Sequence, residues 1–259
     1  MTTIETALSF HGDAALKAEH VAQAEHHAAA DMLASGTYGT GKGAEFRGCS
    51  VGCFAHDIDP ERYGDWHAIV AEARGLPEWL IQLQDSMFEG LPQAERVSFH
   101  VELAKRIPVG VNLEPVQHWL AVARIDRMLI EQRKALEAKH THGVTEAIQG
   151  VIAALEVGRR AHEAAAGGNS CELSAAESAA ESAAWSARSA RSAAESAARS
   201  AAWSAAWSAR SAAESAARSA AESAAWSAAW SASAWSAAWS AAWIAERDAL
   251  FAALDKAAA

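Results

Sequence analysis

The most restrictive feature of the chain is a four-residue repeat, Ser-Ala-Ala-X, that runs through residues 174–243. The X position is Trp, Glu or Arg almost throughout, and neither Gly nor Pro follows Gly168. Alanine is the strongest helix former, and a fixed internal period decides the architecture of the segment that carries it. We therefore expect residues 172–256 to be almost wholly α-helical.

The length of the repeat unit adds a second constraint. Four residues advance about 400° around an α-helix, so a stripe of X positions drifts by about 40° with each repeat. A period longer than that of the α-helix favours a right-handed supercoil, so one solution is a coiled coil with a partner. The other solution is a break into shorter helices that pack on each other. The sequence leaves both solutions open.

The tryptophans at the X positions are the candidates for an interaction surface. A row of exposed indoles would form a large apolar patch, so we expect the rings of 226–243 to be mostly buried. The burying surface is either a second copy of the chain, which we favour, or the apolar faces of 77–90 and 115–139. Ligand stacking is a further alternative, whereas membrane binding is disfavoured because the cluster lacks Lys. The candidate interaction residues are Trp203, Trp207, Trp226, Trp230, Trp235, Trp239 and Trp243.

The part of the chain before the repeat contains the large aliphatic residues that a core requires. Amphipathic and alanine-rich periodicity predicts helices there, and Gly and Pro separate them. Residues 36–59 are predicted to be a Gly-rich loop, and 107–115 an extended stretch. We expect an all-α fold with a globular helical domain over 1–168 and an alanine-rich helical repeat over 169–259. The predicted helices of the domain are 13–35, 60–74, 77–90, 92–106, 115–139 and 144–166.

Composition narrows the setting and the partners. The net charge of -10 argues against a nucleic-acid partner, because such binding depends mainly on Lys and Arg that neutralise phosphates. The three cysteines, Cys49, Cys53 and Cys171, are too few for a disulfide framework. The first residues lack a secretory leader pattern, and no run of about 18 apolar residues occurs. These features predict a cytoplasmic protein.

The stretch GTYGTGKG at 36–43 matches the phosphate-loop pattern G-x-x-x-x-G-K up to Lys42. Gly43 then stands where Ser or Thr would hold magnesium. The stretch also follows a predicted helix, whereas a phosphate loop follows a strand. Both tests of context fail, so we interpret 36–43 as a flexible glycine loop.

The next stretch, RGCSVGCFAHD, contains Cys49, Cys53 and His56 in C-x3-C-x2-H spacing. Thiolate and imidazole are ligands for zinc, and on a helical turn the three side chains could converge. We expect no obligatory cofactor, and zinc at these three residues is the one candidate. A closed site needs a fourth ligand, for which the candidates are Asp57 and the histidines of the first helix, His20, His26 and His27. The alternative is that both cysteines are small buried hydrophobic residues and His56 caps a turn.

No complete catalytic set stands out in the remaining sequence. The histidine-rich helix EHVAQAEHH places His20 and His27 on one face, but no E-x-x-H motif accompanies them. We therefore expect a non-enzymatic interaction or structural protein that associates with itself or with a protein partner through the repeat. The alternative is a metal- or thiol-dependent small-molecule enzyme that uses Cys49, Cys53 and His56. In that case Cys49 could be a nucleophile activated by His56.

Four segments carry a resemblance. They are FRGCSVGCFAHD, GLPEWLIQLQDSMFEGLP, RIPVGVNL and the Ser/Ala/aromatic repeat, in that order. In this order the chain resembles a family of bacterial and phage-encoded proteins with a GC-x-VGC-x-x-H motif, an FEGLP helix and an alanine-rich C-terminal repeat. The resemblance implies that Cys49, Cys53 and His56 occupy the family's Cys and His positions, and it implies no activity. The repeat is also similar, more weakly, to repeats in proteins labelled as immunity proteins.

Overall fold

The computed structural model describes residues 8–61, 64–139, 142–169 and 237–259. Helices dominate this part of the chain, and its only β pairings are single bridges from Leu33 to Gly48 and from Thr40 to Arg47. The predicted all-α class is confirmed. The helices are α1 (Ala14–Ala29), α2 (Ser50–Ile58), α3 (Trp66–Arg74), α4 (Glu78–Gly90), α5 (Gln93–Arg106), α6 (Glu114–Leu136), α7 (His142–Ala166) and α8 (237–258).

The chain divides into two compact units. The first comprises residues up to Leu120 together with Ser240–Ala259, and the second comprises Ala121–Trp239. The predicted boundary between residues 168 and 169 stays a prediction. Helix α8, which begins in the last units of the repeat, carries buried apolar side chains that belong to the core of the first unit. Most of the repeat, 170–236, lies outside the described residues, as do the predictions made for it.

The core of the first unit is built from the apolar faces of short helices. In α4, Leu80, Met87 and Phe88 are buried, and in α5 the buried residues include Phe99 and Leu103. These positions recur at three or four residues, which is the spacing of one helix face. The predicted helices 77–90 and 92–106 therefore agree with the structure to within a residue at each end.

The predicted Gly-rich loop at 36–59 was wrong over its second half, because α2 begins at Ser50. The Cys49 sulfur accepts a hydrogen bond from the Gly52 amide at 3.3 Å and so caps the helix. Gly52 weakens the helical signal, but the position requires it, since a Cβ there would collide with the carbonyl oxygen of Tyr38. The glycine thus reflects close packing of the loop on the helix.

Two other predicted helix ends shift for local reasons. The helix expected over 13–35 ends at Ala29, and Asp31 shortly afterwards has a φ of 51°. The helix expected from residue 60 begins at Trp66, directly after Asp65, whose φ is also 51°. Left-handed backbone at a non-glycine residue interrupts a right-handed helix, so neither helix continues through these positions.

Helix α8 closes the core of the first unit. Leu250 and Leu254 are fully buried in the same cluster as Phe10 and Phe88. At the surface, Arg106 of α5 donates to both carboxylate oxygens of Asp255, at 2.9 and 2.6 Å. Two fully buried leucines contribute roughly 3–6 kcal/mol of hydrophobic stabilisation by area. The part of α8 from Ser240 onward is therefore a structural part of the first unit.

The second unit contains the remainder of α6 and all of α7. Leu129 and Ala161 are buried, and Arg159 of α7 donates to Asp126 of α6 at 2.6 Å. Arg133 of α6 also donates to Glu156 of α7 at 2.9 Å, so burial and two charged hydrogen bonds hold these two helices together. No helix in the described ranges is long and apolar enough to cross a membrane.

Candidate functional site

The structure places the three candidate metal ligands in different surroundings. The Cys49 sulfur faces the first turn of α2 as its cap. The Cys53 thiol donates to the carbonyl oxygens of Gly48 and Met32, at 3.5 and 3.6 Å. The His56 ring stacks on Phe46, with a centroid separation of 4.0 Å. Each side chain therefore already has protein contacts of its own.

Both thiols are held in their neutral form. Burial raises the pKa of Cys49 to about 12, and the neighbouring Asp85 carboxylate adds to the rise. Burial likewise raises the pKa of Cys53 to about 12. A metal ligand must be a thiolate, so neither sulfur is prepared for binding in this state. Within the described ranges, no three His, Cys, Asp or Glu side chains are grouped closely enough to hold a metal ion. Zinc at these residues stays a prediction.

Two of the four candidates for a fourth ligand, Asp57 and His27, belong to a buried chain of hydrogen bonds, whereas His26 is exposed. His27 of α1 contacts Asp57 of α2 through Nε2 at 2.9 Å and His100 of α5 through Nδ1 at 3.2 Å. The Nδ1 atom of His100 lies 2.8 Å from the Ser50 hydroxyl. The amide of Gln84 on α4 donates to the same hydroxyl at 2.6 Å. One polar chain thus connects four helices.

The partners determine which atoms of this chain carry protons. Because the Asp57 carboxylate only accepts, Nε2 of His27 donates to it. The roles of the other ring nitrogens depend on the tautomers: where Nδ1 of His27 accepts, His100 donates from Nε2 and accepts at Nδ1 from the Ser50 hydroxyl. The Gln84 amide is the first donor of this chain of hydrogen bonds. Ser50, His100 and His27 each make two of these contacts, and the chain of hydrogen bonds ends on the Asp57 carboxylate, whose side chain is 24% exposed.

Burial keeps the neighbouring imidazoles neutral. It lowers the pKa of His100 well below the ordinary value, and the nearby His27 and His20 lower it further. His20 stacks on Phe54 at 4.0 Å, and burial lowers its pKa to about 3, with a smaller contribution from the positive charge of Arg74. These histidines are part of the core at neutral pH. The sequence indicated only that His20 and His27 share a helix face.

A small cavity, which we call the thiol cavity, adjoins the start of α2. It has a volume of about 250 Å³ and is lined by residues of the loop, α2 and α4, namely Gly36, Thr37, Tyr38, Cys49, Asp85 and Glu89. The side chains of Tyr38 and Cys49 both hydrogen-bond to Asp85. The Glu89 carboxylate accepts from the Gly36 amide at 3.0 Å through both of its oxygens. The cavity therefore combines one thiol, one phenol and two carboxylates.

The sequence analysis did not single out the carboxylates of the thiol cavity. Asp85 and Glu89 stand four residues apart on α4, so they lie on one face of this amphipathic helix. The spacing of Asp85 and Glu89 could therefore have indicated from the sequence that the two carboxylates lie together. The partner expected for Cys49 was His56, but His56 lines a different cavity and Asp85 takes its place.

The two described tryptophans of the repeat, Trp239 and Trp243, differ in how much of their surface is buried. Trp243 is half-buried against the core of the first unit, and its indole lies so close to Gly90 that a Cβ at residue 90 would overlap it. Trp239 is 53% exposed, which differs from the burial expected for it. The burying surface of Trp243 is the end of α4, the intramolecular alternative. Trp203, Trp207, Trp226, Trp230 and Trp235 lie outside the described residues.

Comparison with protein-family models, with curated proteins and with solved structures finds no match. The resemblance to the bacterial and phage-encoded family with the GC-x-VGC-x-x-H motif therefore stays a prediction. Two of its motifs meet at the thiol cavity, where Cys49 comes from GCSVGC and Glu89 from FEGLP.

Proposed function

We propose that the protein is a non-enzymatic interaction protein whose helical domain carries a repeat striped with Trp, Glu and Arg. The observation behind the proposal is the contrast between Trp243 and Trp239. Four residues separate them, so both occupy the X position of the repeat. Trp243 packs on the core, whereas Trp239 remains 53% exposed. The last tryptophan of the repeat is thus a core residue, and the preceding one keeps more than half of its surface exposed.

Anchoring of α8 supports the same proposal. The helix is held by buried Leu250 and Leu254 and by the ion pair from Arg106 to Asp255. The repeat is therefore followed in sequence by a fixed helix, and it is not a terminal tail. A repeat that cannot bury its own apolar face needs a neighbouring surface.

The charge pattern favours a second copy of the chain as the partner. Residues 174–243 contain five Glu and five Arg, all at X positions and often alternating in sign. A stripe with equal numbers of both charges is complementary to another copy of itself. Homodimers with such self-complementary surfaces are the commonest assemblies of soluble proteins. The predicted supercoil would use the same stripe.

Sedimentation equilibrium of the whole chain tests the proposal. The comparison variant changes Trp203, Trp207, Trp226, Trp230, Trp235 and Trp239 to Ala, and it keeps Trp243 because that ring belongs to the core. We expect the parent chain to show a concentration-dependent mass above 27.3 kDa and the variant to stay at the monomer mass. A thermal melt checks that the domain of the variant is folded. A parent that is monomeric throughout would contradict self-association.

The alternative function is thiol chemistry at Cys49. The observation in its favour is that Cys49 lines the thiol cavity and that Asp85 could accept its proton. The raised pKa of Cys49 argues against it, because a nucleophilic cysteine needs thiolate near neutral pH. The rate of alkylation of Cys49 as a function of pH separates the two functions, since a catalytic thiol would react with an apparent pKa below about 8.

A further inference from the structure

The end of α4 is in contact with two elements that are distant in sequence. Gly90, its last residue, lies against the indole of Trp243, because a Cβ at residue 90 would lie 2.0 Å from that ring. Glu89, the preceding residue, holds the loop of the thiol cavity, since both of its carboxylate oxygens lie 3.0 Å from the Gly36 amide. Adjacent residues make the two contacts, so α8 and the loop meet at one turn of helix.

Helix α8 holds the connection between α4 and α5 at a second point. Arg247 stands four residues after Trp243, so the two side chains lie on one face of α8. Arg247 pairs with Glu95 in the first turn of α5. Arg96, the next residue of α5, donates to the carbonyl oxygen of Glu89 at 2.9 Å. The turn that carries Glu89 is therefore held by α5 and α8 together.

The part of the loop that Glu89 holds forms a wall of the thiol cavity beside Cys49. Gly36, Thr37 and Tyr38 line the cavity together with Cys49. The Thr37 carbonyl oxygen accepts from the Cys49 amide at 3.0 Å, so the same wall is also tied to the start of α2. With the loop in this position, Cys49 is only 1% exposed. The reactivity of its thiol therefore reports whether the wall is closed or open.

We propose that the packing of Trp243 on Gly90 controls access to Cys49, so that the end of the repeat and the thiol cavity form one conformational device. With the indole in place, the turn holds Glu89 against the Gly36 amide, and the loop stays closed. Loss of the indole frees the turn, the contact between Glu89 and Gly36 breaks, and the loop opens beside Cys49. All of these residues belong to the first unit, so the device does not depend on self-association through the repeat.

Alkylation of the whole chain by iodoacetamide tests the proposal, with tandem mass spectrometry of the peptide that holds Cys49 and Cys53. Cys53 is the internal reference, because it is also buried but lies outside the lining of the thiol cavity. We expect Trp243→Ala to raise the rate at Cys49 at least about tenfold more than the rate at Cys53. Trp243→Phe, which keeps an apolar ring, should show the same preference for Cys49 at a smaller size. Equal acceleration of both thiols in the two variants would indicate general unfolding and would overturn the proposal.

The variant Glu89→Ala tests whether the effect passes through the contact with the loop. It removes the acceptor of the Gly36 amide but keeps Asp85, the carboxylate that hydrogen-bonds to Cys49. We expect Glu89→Ala to accelerate alkylation of Cys49 about as much as Trp243→Ala does. The double variant should be no faster than either single variant, because both changes break the same connection.

Glu78→Ala is the matched control, because it removes a carboxylate from the first turn of the same helix, where Glu78 accepts only from Gln82 among the hydrogen bonds described. Its rate of alkylation at Cys49 should equal that of the parent chain. Two results would each overturn the proposal. One is a rate for Glu89→Ala that equals the rate for Glu78→Ala. The other is a double variant in which the accelerations of Trp243→Ala and Glu89→Ala multiply, because independent effects combine in that way.

Discussion

The Nδ1 atom of His27 and the Nε2 atom of His100 lie 3.2 Å apart in the core, and each ring is fully buried. The contact joins α1 to α5 and forms the centre of the chain of hydrogen bonds from Gln84 to Asp57. Two buried imidazoles in contact cannot both be protonated without strong repulsion. Burial lowers the pKa of His100 well below its ordinary value, so His100 is a ring that remains neutral in this contact.

Stability should fall as the pH is lowered. The folded-state pKa of His20 is about 3 and that of His100 is also well below the ordinary 6.5, so the unfolded chain takes up these protons first. The free energy of unfolding should decrease from about pH 6.5 toward pH 3. Urea denaturation at several pH values measures this decrease.

The variant His20→Phe isolates the contribution of one ring, because Phe can retain the stacking on Phe54. Its stability should depend less steeply on pH than that of the parent. His142→Phe is the control, because the His142 side chain is 87% exposed. If His20→Phe and His142→Phe showed the same pH dependence as the parent, the buried neutral state of His20 would be refuted.

The Asp57 carboxylate, which is the last acceptor of the chain of hydrogen bonds, should contribute to stability. Asp57→Ala leaves the Nε2 proton of buried His27 without an acceptor, which should cost about 1–3 kcal/mol. Asp57→Asn keeps an oxygen that can accept, so its loss should be smaller. Chemical denaturation at pH 7.5 compares the two variants. Equal losses in both would show that the hydrogen bond is not the source of the effect.

The thiols of Cys49 and Cys53 should react slowly in the folded protein. With pKa values of about 12, both remain protonated at pH 8, and both side chains are buried. Alkylation by iodoacetamide, followed by peptide mass spectrometry, should give rates far below those of the same cysteines in urea. Rapid labelling of Cys49 at neutral pH would revive the thiol function.

The contact between Gly90 and Trp243 should tolerate no added side chain. Gly90→Ala places a Cβ against the indole, so overpacking should destabilise the protein by about 1–3 kcal/mol. Gly150→Ala in α7 is the control, because a Cβ at residue 150 meets no atom within 4 Å. There the change should stabilise the helix by about 0.5–1 kcal/mol. Thermal melts of the two variants should thus shift in opposite directions.

The sequence was sufficient to predict the helices that are marked by the spacing of their own apolar residues. The apolar spacing in 77–90 predicted α4 almost to the residue, because one face of that helix is buried along its length. Helix α2 was missed because Gly52 lowers helical propensity, and the packing that requires glycine there involves the distant Tyr38. Local propensity carries no information about such a contact.

The polar site was predictable only in part for the same reason. The seven-residue spacing of His20 and His27 placed both on one face of α1, and both are buried. His27 meets His100 of α5, which in turn meets Ser50 of α2, and His20 stacks on Phe54 of α2; only the tertiary fold brings these residues together. Nothing in their own sequence neighbourhood distinguishes them from ordinary helix residues.

We conclude above all that α8 belongs to the core of the first unit. Hydrogen exchange of the whole chain, followed by mass spectrometry, tests it on peptides from residues 243–258. Because Leu250 and Leu254 are fully buried in the shared cluster, these amides should exchange as slowly as those of α5, through global unfolding. Complete exchange of the 243–258 peptides within seconds, while α5 remains protected, would contradict the anchoring of α8 and the function proposed from it.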